Sequence, residues 1–96
     1  MMNSSEIELR LKSLKPFLSD RYHVNRIGYF GSYSRNEQTE KSDIDILVDF
    51  SRPLGWEFFD LQEFLEKELN TKVDLVSINA LKEQLKDIIL NEVHYV

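Results

Sequence analysis

The sequence predicts an α/β (α+β) domain: a three-stranded mixed sheet packed with helices, in the order α-β-α-β-α-β-α with the second α short. Three observations predict it. Runs rich in β-branched and aromatic residues stand apart at about 26–31, 43–50 and 72–77. Segments with apolar residues at helical spacing precede and follow this set, and one separates its last two members. The middle run alternates, with Ile44, Ile46, Val48 and Phe50 on one side and Asp43, Asp45, Leu47 and Asp49 on the other. One face is core and the other is partly polar.

A chain of 96 residues is expected to form one domain, 1–96. Its net charge of −5 argues against an electrostatic grip on nucleic acid or an anionic membrane. Without cysteine there are no disulfides and no thiolate metal sites. The first residues lack a basic region followed by an apolar stretch, and no apolar run reaches membrane-spanning length. A cytoplasmic, soluble domain is expected.

Taken in order, Ser5 and Glu8 have capping-box spacing, and Ile7, Leu11, Leu14 and Leu18 continue at helical intervals. Pro16 either kinks this helix or starts a second turn. Arg26 to Phe30 ends at Gly31, and Ser32 to Glu37 forms a short helix or turn. After the second strand, Ser51-Arg52-Pro53-Leu54-Gly55 is punctuation. Trp56 to Leu69 reads as a helix with Phe58, Leu61, Leu65 and Leu69 as its inner stripe. Trp56, Phe59 and Phe64 widen that stripe, which means either deep burial or a subunit or partner contact. Val73 and Leu75 point inward from the third strand. Asn79 is the expected cap of a last helix running past Leu81, Leu85, Ile88 and Ile89 towards the C-terminus.

Asp43 and Asp45, two apart on a strand, point the same way. Their repulsion is roughly 2–3 kcal/mol at about 6 Å and an effective dielectric of about 20, and a divalent metal is the obvious compensating partner. Suppose that these aspartates act at one place with Gly31 and Ser32, which lie at the end of the first strand while Asp43 and Asp45 lie at the start of the second. The two ends meet only if these strands are antiparallel neighbours. The helix of crossover length that follows suits parallel pairing of the second and third strands, which brings Asp74 beside Asp45. Asp49 lies about 13 Å further along and is too far to share a metal. Glu57 and Asp60 are within reach, but on a helix face where solvation is the simpler reading.

Oxygen ligands without histidine or cysteine suit Mg²⁺ or Mn²⁺, and Mg²⁺ usually keeps positions for substrate phosphates. Gly31 lets a triphosphate approach the backbone. The Ser32 hydroxyl and the amides after it can donate to phosphate oxygens. Asp74 can hold a second metal that lowers the pKa of an attacking hydroxyl. The chemistry is in-line nucleotidyl transfer with pyrophosphate leaving.

Gly31-Ser32, ten intervening residues, then Asp43-Ile44-Asp45 resembles the signature of the polymerase-β-like nucleotidyltransferase superfamily. The wider stretch, Phe30-Gly31-Ser32-Tyr33-Ser34-Arg35 to Ser42-Asp43-Ile44-Asp45-Ile46-Leu47-Val48, is similar to its minimal nucleotidyltransferases, antitoxin partners of HEPN ribonuclease toxins. Val73-Asp74-Leu75-Val76 and Ile88-Ile89-Leu90-Asn91-Glu92-Val93 are similar to that family's late strand and last helix. The resemblance implies the nucleotidyltransferase fold, nucleotide binding at Gly31 and Ser32, and catalytic metal ligation by Asp43, Asp45 and Asp74. It implies Mg²⁺-dependent transfer of AMP from ATP to a tyrosine of the toxin, which neutralises it. Asn36 departs from the glycine the family often has after the arginine, and asparagine tolerates a left-handed conformation.

Simpler readings stand beside these. Arg35 either contacts nucleotide phosphate or pairs with Glu37 or Glu40 on the surface. Tyr29 and Tyr33 are packing residues, and neither His23 nor His94 has a partner at metal-ligand spacing. The alternatives to an active protein-modifying enzyme are a catalytically inactive antitoxin acting by direct contact, or transfer to a small molecule. Trp56, Phe58, Phe59, Val93, Tyr95 and Val96 supply apolar surface for a homo- or hetero-oligomer.

Overall fold

Asn3, rather than Ser5, starts the first helix. In the computed structural model, which describes residues 2–96, the Asn3 side chain accepts from the Glu6 N–H at 2.9 Å, and Glu6 accepts from the Asn3 N–H at 3.0 Å. This capping box satisfies two otherwise orphaned donors. Beside it, the Ser4 hydroxyl donates to the Tyr33 carbonyl at 2.7 Å and ties this end of the helix to the rest of the chain. Helix α1 then runs unbroken over Ser4–Tyr22, with Pro16 inside it. Pro16 and Lys12, whose carbonyl loses its donor, are both exposed, so water can take the lost bond. His23 ends the helix in the left-handed conformation, at φ 57°.

The sheet has four strands rather than three. β1 (Val24–Phe30), β2 (Ile44–Phe50) and β3 (Val73–Ser77) lie close to where the β-rich runs predict them. The fourth, β4 (His94–Tyr95), pairs antiparallel with β1 at Gly28 and Tyr29, so the order is β3-β2-β1-β4. Gly28 permits this: a Cβ there would lie 2.5 Å from the His94 carbonyl oxygen. The His94 ring stacks on Tyr29, with centroids 5.3 Å apart. β1 and β2 are antiparallel and β2 and β3 parallel, as the position of the aspartates requires.

Helix α1 packs on β1, helix α2 (Glu57–Leu69) packs on β3, and the two helices touch. Ile7, Leu11 and Leu18 of α1 and Leu61, Leu65 and Leu69 of α2 have no exposed surface. They meet Ile27, Ile44, Ile46 and Val48 on the inner sheet face. Each buried aliphatic side chain contributes roughly 1.5–3 kcal/mol relative to exposure. Tyr29 and Tyr33 are buried, as packing residues. The Tyr29 hydroxyl donates to Glu8 at 2.6 Å; burial first, then this bond, push its pKa up to about 12. Of the aromatic residues that widen α2, Phe64 packs against Phe17 and Tyr22, whereas Trp56 and Phe59 are 84% and 58% exposed.

The last helix starts later than expected. A 3-10 turn covers Ile78–Ala80, and α3 runs over Glu83–Glu92 with Lys82 at its N-cap position and no side-chain cap. Asn79 therefore caps nothing. The helix stops at Glu92 because Val93 turns to extended backbone and the chain enters β4.

Candidate active site

Phe30, Asp45 and Asp74 form one row across three strands. Phe30 pairs with Asp45 in the β1–β2 ladder, and Asp45 with Asp74 in the β2–β3 ladder. Directly paired residues share a sheet face, with Cβ atoms about 4.5–5.5 Å apart. Gly31 follows Phe30, so the glycine turn and two of the three aspartates meet at one sheet edge. Asp43 precedes β2, and the Ile44 N–H donates to the Lys72 carbonyl at 2.9 Å, fixing where the strand begins. A turn closed by Ser42 and Thr39, each donating its N–H to an oxygen of the other, delivers the chain to Asp43.

Gly31 is required twice over. Its φ is +71°, a left-handed conformation that side chains disfavour. A Cβ there would also lie 2.1 Å from Asp45 Oδ2. The turn and the aspartate therefore touch. Gly31–Tyr33 form a single 3-10 turn, and Ser34 and Arg35 donate their N–H groups to the Gly31 carbonyl. Asn36 takes up the left-handed conformation at φ 57°, so the departure from glycine leaves the turn intact.

Asp45 is partly buried, while Asp43 and Asp74 are exposed. Burial, then the charges of Asp74, Asp43 and Glu92, push the Asp45 pKa up to about 6, with Arg35 opposing. Among the described residues, no three of histidine, cysteine, aspartate and glutamate already converge as a metal cage. The donor set nonetheless fits a hard divalent cation. It is all oxygen, and its central carboxylate carries repulsion that a cation would relieve.

The remaining candidates sort by their partners. Arg35 pairs with Glu37 at 3.0 Å, as one sequence reading expects, and also with Glu92 at 3.0 Å rather than with Glu40. Glu92 Oε1 accepts the Gly31 N–H at 2.8 Å. Sequence spacing gives no hint of this contact, because 61 residues separate the two. Asp49 is engaged elsewhere, by Arg26 at 3.4 Å and Asn25 at 3.2 Å. Glu57 accepts the Gly55 N–H at 2.9 Å at the start of α2, a local role. His23 lies beside Arg52, at 2.6 Å.

The chain is similar to known proteins in both sequence and fold. The nucleotidyltransferase domain pattern matches residues 11–96. The protein adenylyltransferase MntA of Thermococcus cleftensis is 45% identical over 97 residues, covering 100% of this chain and 98% of its own. A toxin–antitoxin structure with AMP-PNP superposes at a TM-score of 0.71 and 27% identity, over 98% of this chain and 72% of the other. A complex of a tri-AMPylated Shewanella oneidensis HEPN toxin with its MNT antitoxin superposes at 0.68 and 26% identity, over 92% of this chain and 69% of the other. The chain belongs to the nucleotidyltransferase domain family.

Proposed function

We propose that this chain is the antitoxin of a HEPN–MNT pair, a single domain over 1–96 that acts in the cytoplasm. It transfers AMP from ATP to a tyrosine of its HEPN ribonuclease toxin and thereby neutralises it. The observation that carries this reading is the row Phe30–Asp45–Asp74, with Gly31, next to Phe30, abutting Asp45. The adenylyltransferase relative and the toxin complexes support the acceptor class.

Gly31, Ser32 and Arg35 bind the triphosphate. The glycine allows close approach, the Ser32 hydroxyl donates to a phosphate oxygen, and Arg35 lies beside the same turn. Asp43, Asp45 and Asp74 would hold Mg²⁺ (or Mn²⁺), which when bound neutralises phosphate charge and acidifies the attacking hydroxyl. The tyrosine oxygen forms a bond to the α-phosphorus, and the bond to the bridging oxygen on its far side breaks. Pyrophosphate leaves, and the phenol proton passes to solvent past the exposed Asp74. The acceptor docks with its own surface.

Exposed Trp56 and Phe59 favour a second reading, in which the chain neutralises the toxin by contact alone. Co-expression with the toxin separates the two. Enzymatic silencing predicts that Asp43→Asn with Asp45→Asn no longer protects cells, although the pair still co-purifies. Full protection by that variant establishes contact instead.

A further inference from the structure

Glu92 is the last residue of α3, in a final turn that carries no basic residue. A carboxylate there faces the negative end of the helix dipole, which disfavours it locally. Its stabilising partners lie across the chain. Oε1 accepts the Gly31 N–H at 2.8 Å, and Oε1 and Oε2 take the Arg35 Nη1 at 3.2 and 3.0 Å. The Glu92 side chain is 22% exposed, so these charge-assisted bonds are partly sheltered from water. Glu37 takes the Arg35 Nε at 3.0 Å. Arg35 Nη2 and the Ser32 hydroxyl make no hydrogen bond among the described residues.

We propose that Glu92 is a positioning residue of the nucleotide site. It braces the Gly31 turn from behind and aims the Arg35 guanidinium, leaving Nη2 and the Ser32 hydroxyl to donate to the triphosphate. It thereby makes the C-terminal helix part of the active centre. Because Gly31 abuts Asp45, loosening the brace also moves the carboxylate. The inference rests on the triphosphate-binding reading of Gly31, Ser32 and Arg35 given above.

The test is Mg·ATP binding by calorimetry, with KM for ATP and kcat for transfer, on the full chain and its Glu92→Gln, Glu92→Ala and Arg35→Gln variants. Glu92→Gln keeps an acceptor for the Gly31 N–H but loses the charge facing Arg35. It should raise KM about tenfold and leave kcat within about twofold. Glu92→Ala loses both bonds and should also lower kcat about tenfold. Adding Glu92→Gln to Arg35→Gln should raise KM no further, since the two act as one unit. Glu83→Gln, in the first turn of the same helix, should leave both constants unchanged. If the Glu92 variants merely melt earlier, with wild-type KM and kcat per folded molecule, the proposal is overturned. Tighter ATP binding overturns it as well, because Glu92 would then compete with phosphate. An active wild type with indistinguishable Glu92 variants rejects the positioning role alone. A wild type that binds no ATP rejects the nucleotide reading, and the inference with it.

Discussion

Removing the Asp45 charge should stabilise the metal-free protein at neutral pH. The carboxyl has its pKa pushed up from 3.8 to about 6, first by burial and then by Asp74, Asp43 and Glu92. A folded-state pKa above the unfolded one means that folding favours the protonated acid. The penalty is absent below the unfolded value, grows as pH rises from 4 to 6, and is complete above about 6. At about 1.36 kcal/mol per unit, the two-unit rise is worth up to about 3 kcal/mol, less whatever water screens at this partly buried position. That is a large part of the 5–15 kcal/mol typical of small domains. Urea unfolding in a chelator, at intervals from pH 4 to 8, measures it for wild type and Asp45→Asn. The variant should gain on wild type by about 1–2 kcal/mol above pH 6, after that screening, and most of the gain should vanish at pH 4. Added Mg²⁺ should stabilise wild type but not the variant. A difference that is flat with pH, or a variant less stable than wild type at pH 7, would refute the electrostatic reasoning and make Asp45 a structural residue.

Two glycines give sharper steric tests. Gly31→Ala places a Cβ 2.1 Å from Asp45 Oδ2 at a φ of +71°, so the carboxylate must swing away. It should cost about 1–2 kcal/mol of stability from the backbone and about a hundredfold in transfer, read by urea unfolding and labelled-ATP turnover. Gly28→Ala pushes against the His94 carbonyl at 2.5 Å. It should release β4, seen as faster hydrogen exchange at the Val96 N–H, which otherwise donates to the Ile27 carbonyl at 3.0 Å.

Much of the fold was legible because one requirement fixed several elements at once. If Gly31-Ser32 and the aspartates act together, β1 and β2 must be antiparallel, and a crossover helix then makes β3 parallel beside β2. The ladders match that reasoning residue by residue, Phe30 to Asp45 to Asp74. The inner stripe of α2 was equally plain, since Leu61, Leu65 and Leu69 recur every four residues and are all buried. What sequence reading missed is set by tertiary contact. β4 is two residues long, too short for any periodicity, and depends on the missing side chain at Gly28. Asn3–Glu6 and Ser5–Glu8 share one spacing, and spacing alone does not show that Glu8 is taken by the Tyr29 hydroxyl instead. The contact of Glu92 with the Gly31 turn has no signature in sequence spacing. Its one local signal was a negative charge at the wrong end of a helix, and that pointed to a distant partner without naming it.

The central claim is that the Gly31–Asp45–Asp74 edge transfers a nucleotide to a protein. The most direct measurement incubates α-labelled ATP and Mg²⁺ with a purified HEPN protein proposed as the partner, using wild type or the Asp43→Asn, Asp45→Asn variant. The account predicts label on a tyrosine of that protein with wild type, pyrophosphate released in equal amount, and none of either with the variant. Label transferred equally by both, or no transfer by a wild type that still inhibits the ribonuclease, would contradict it.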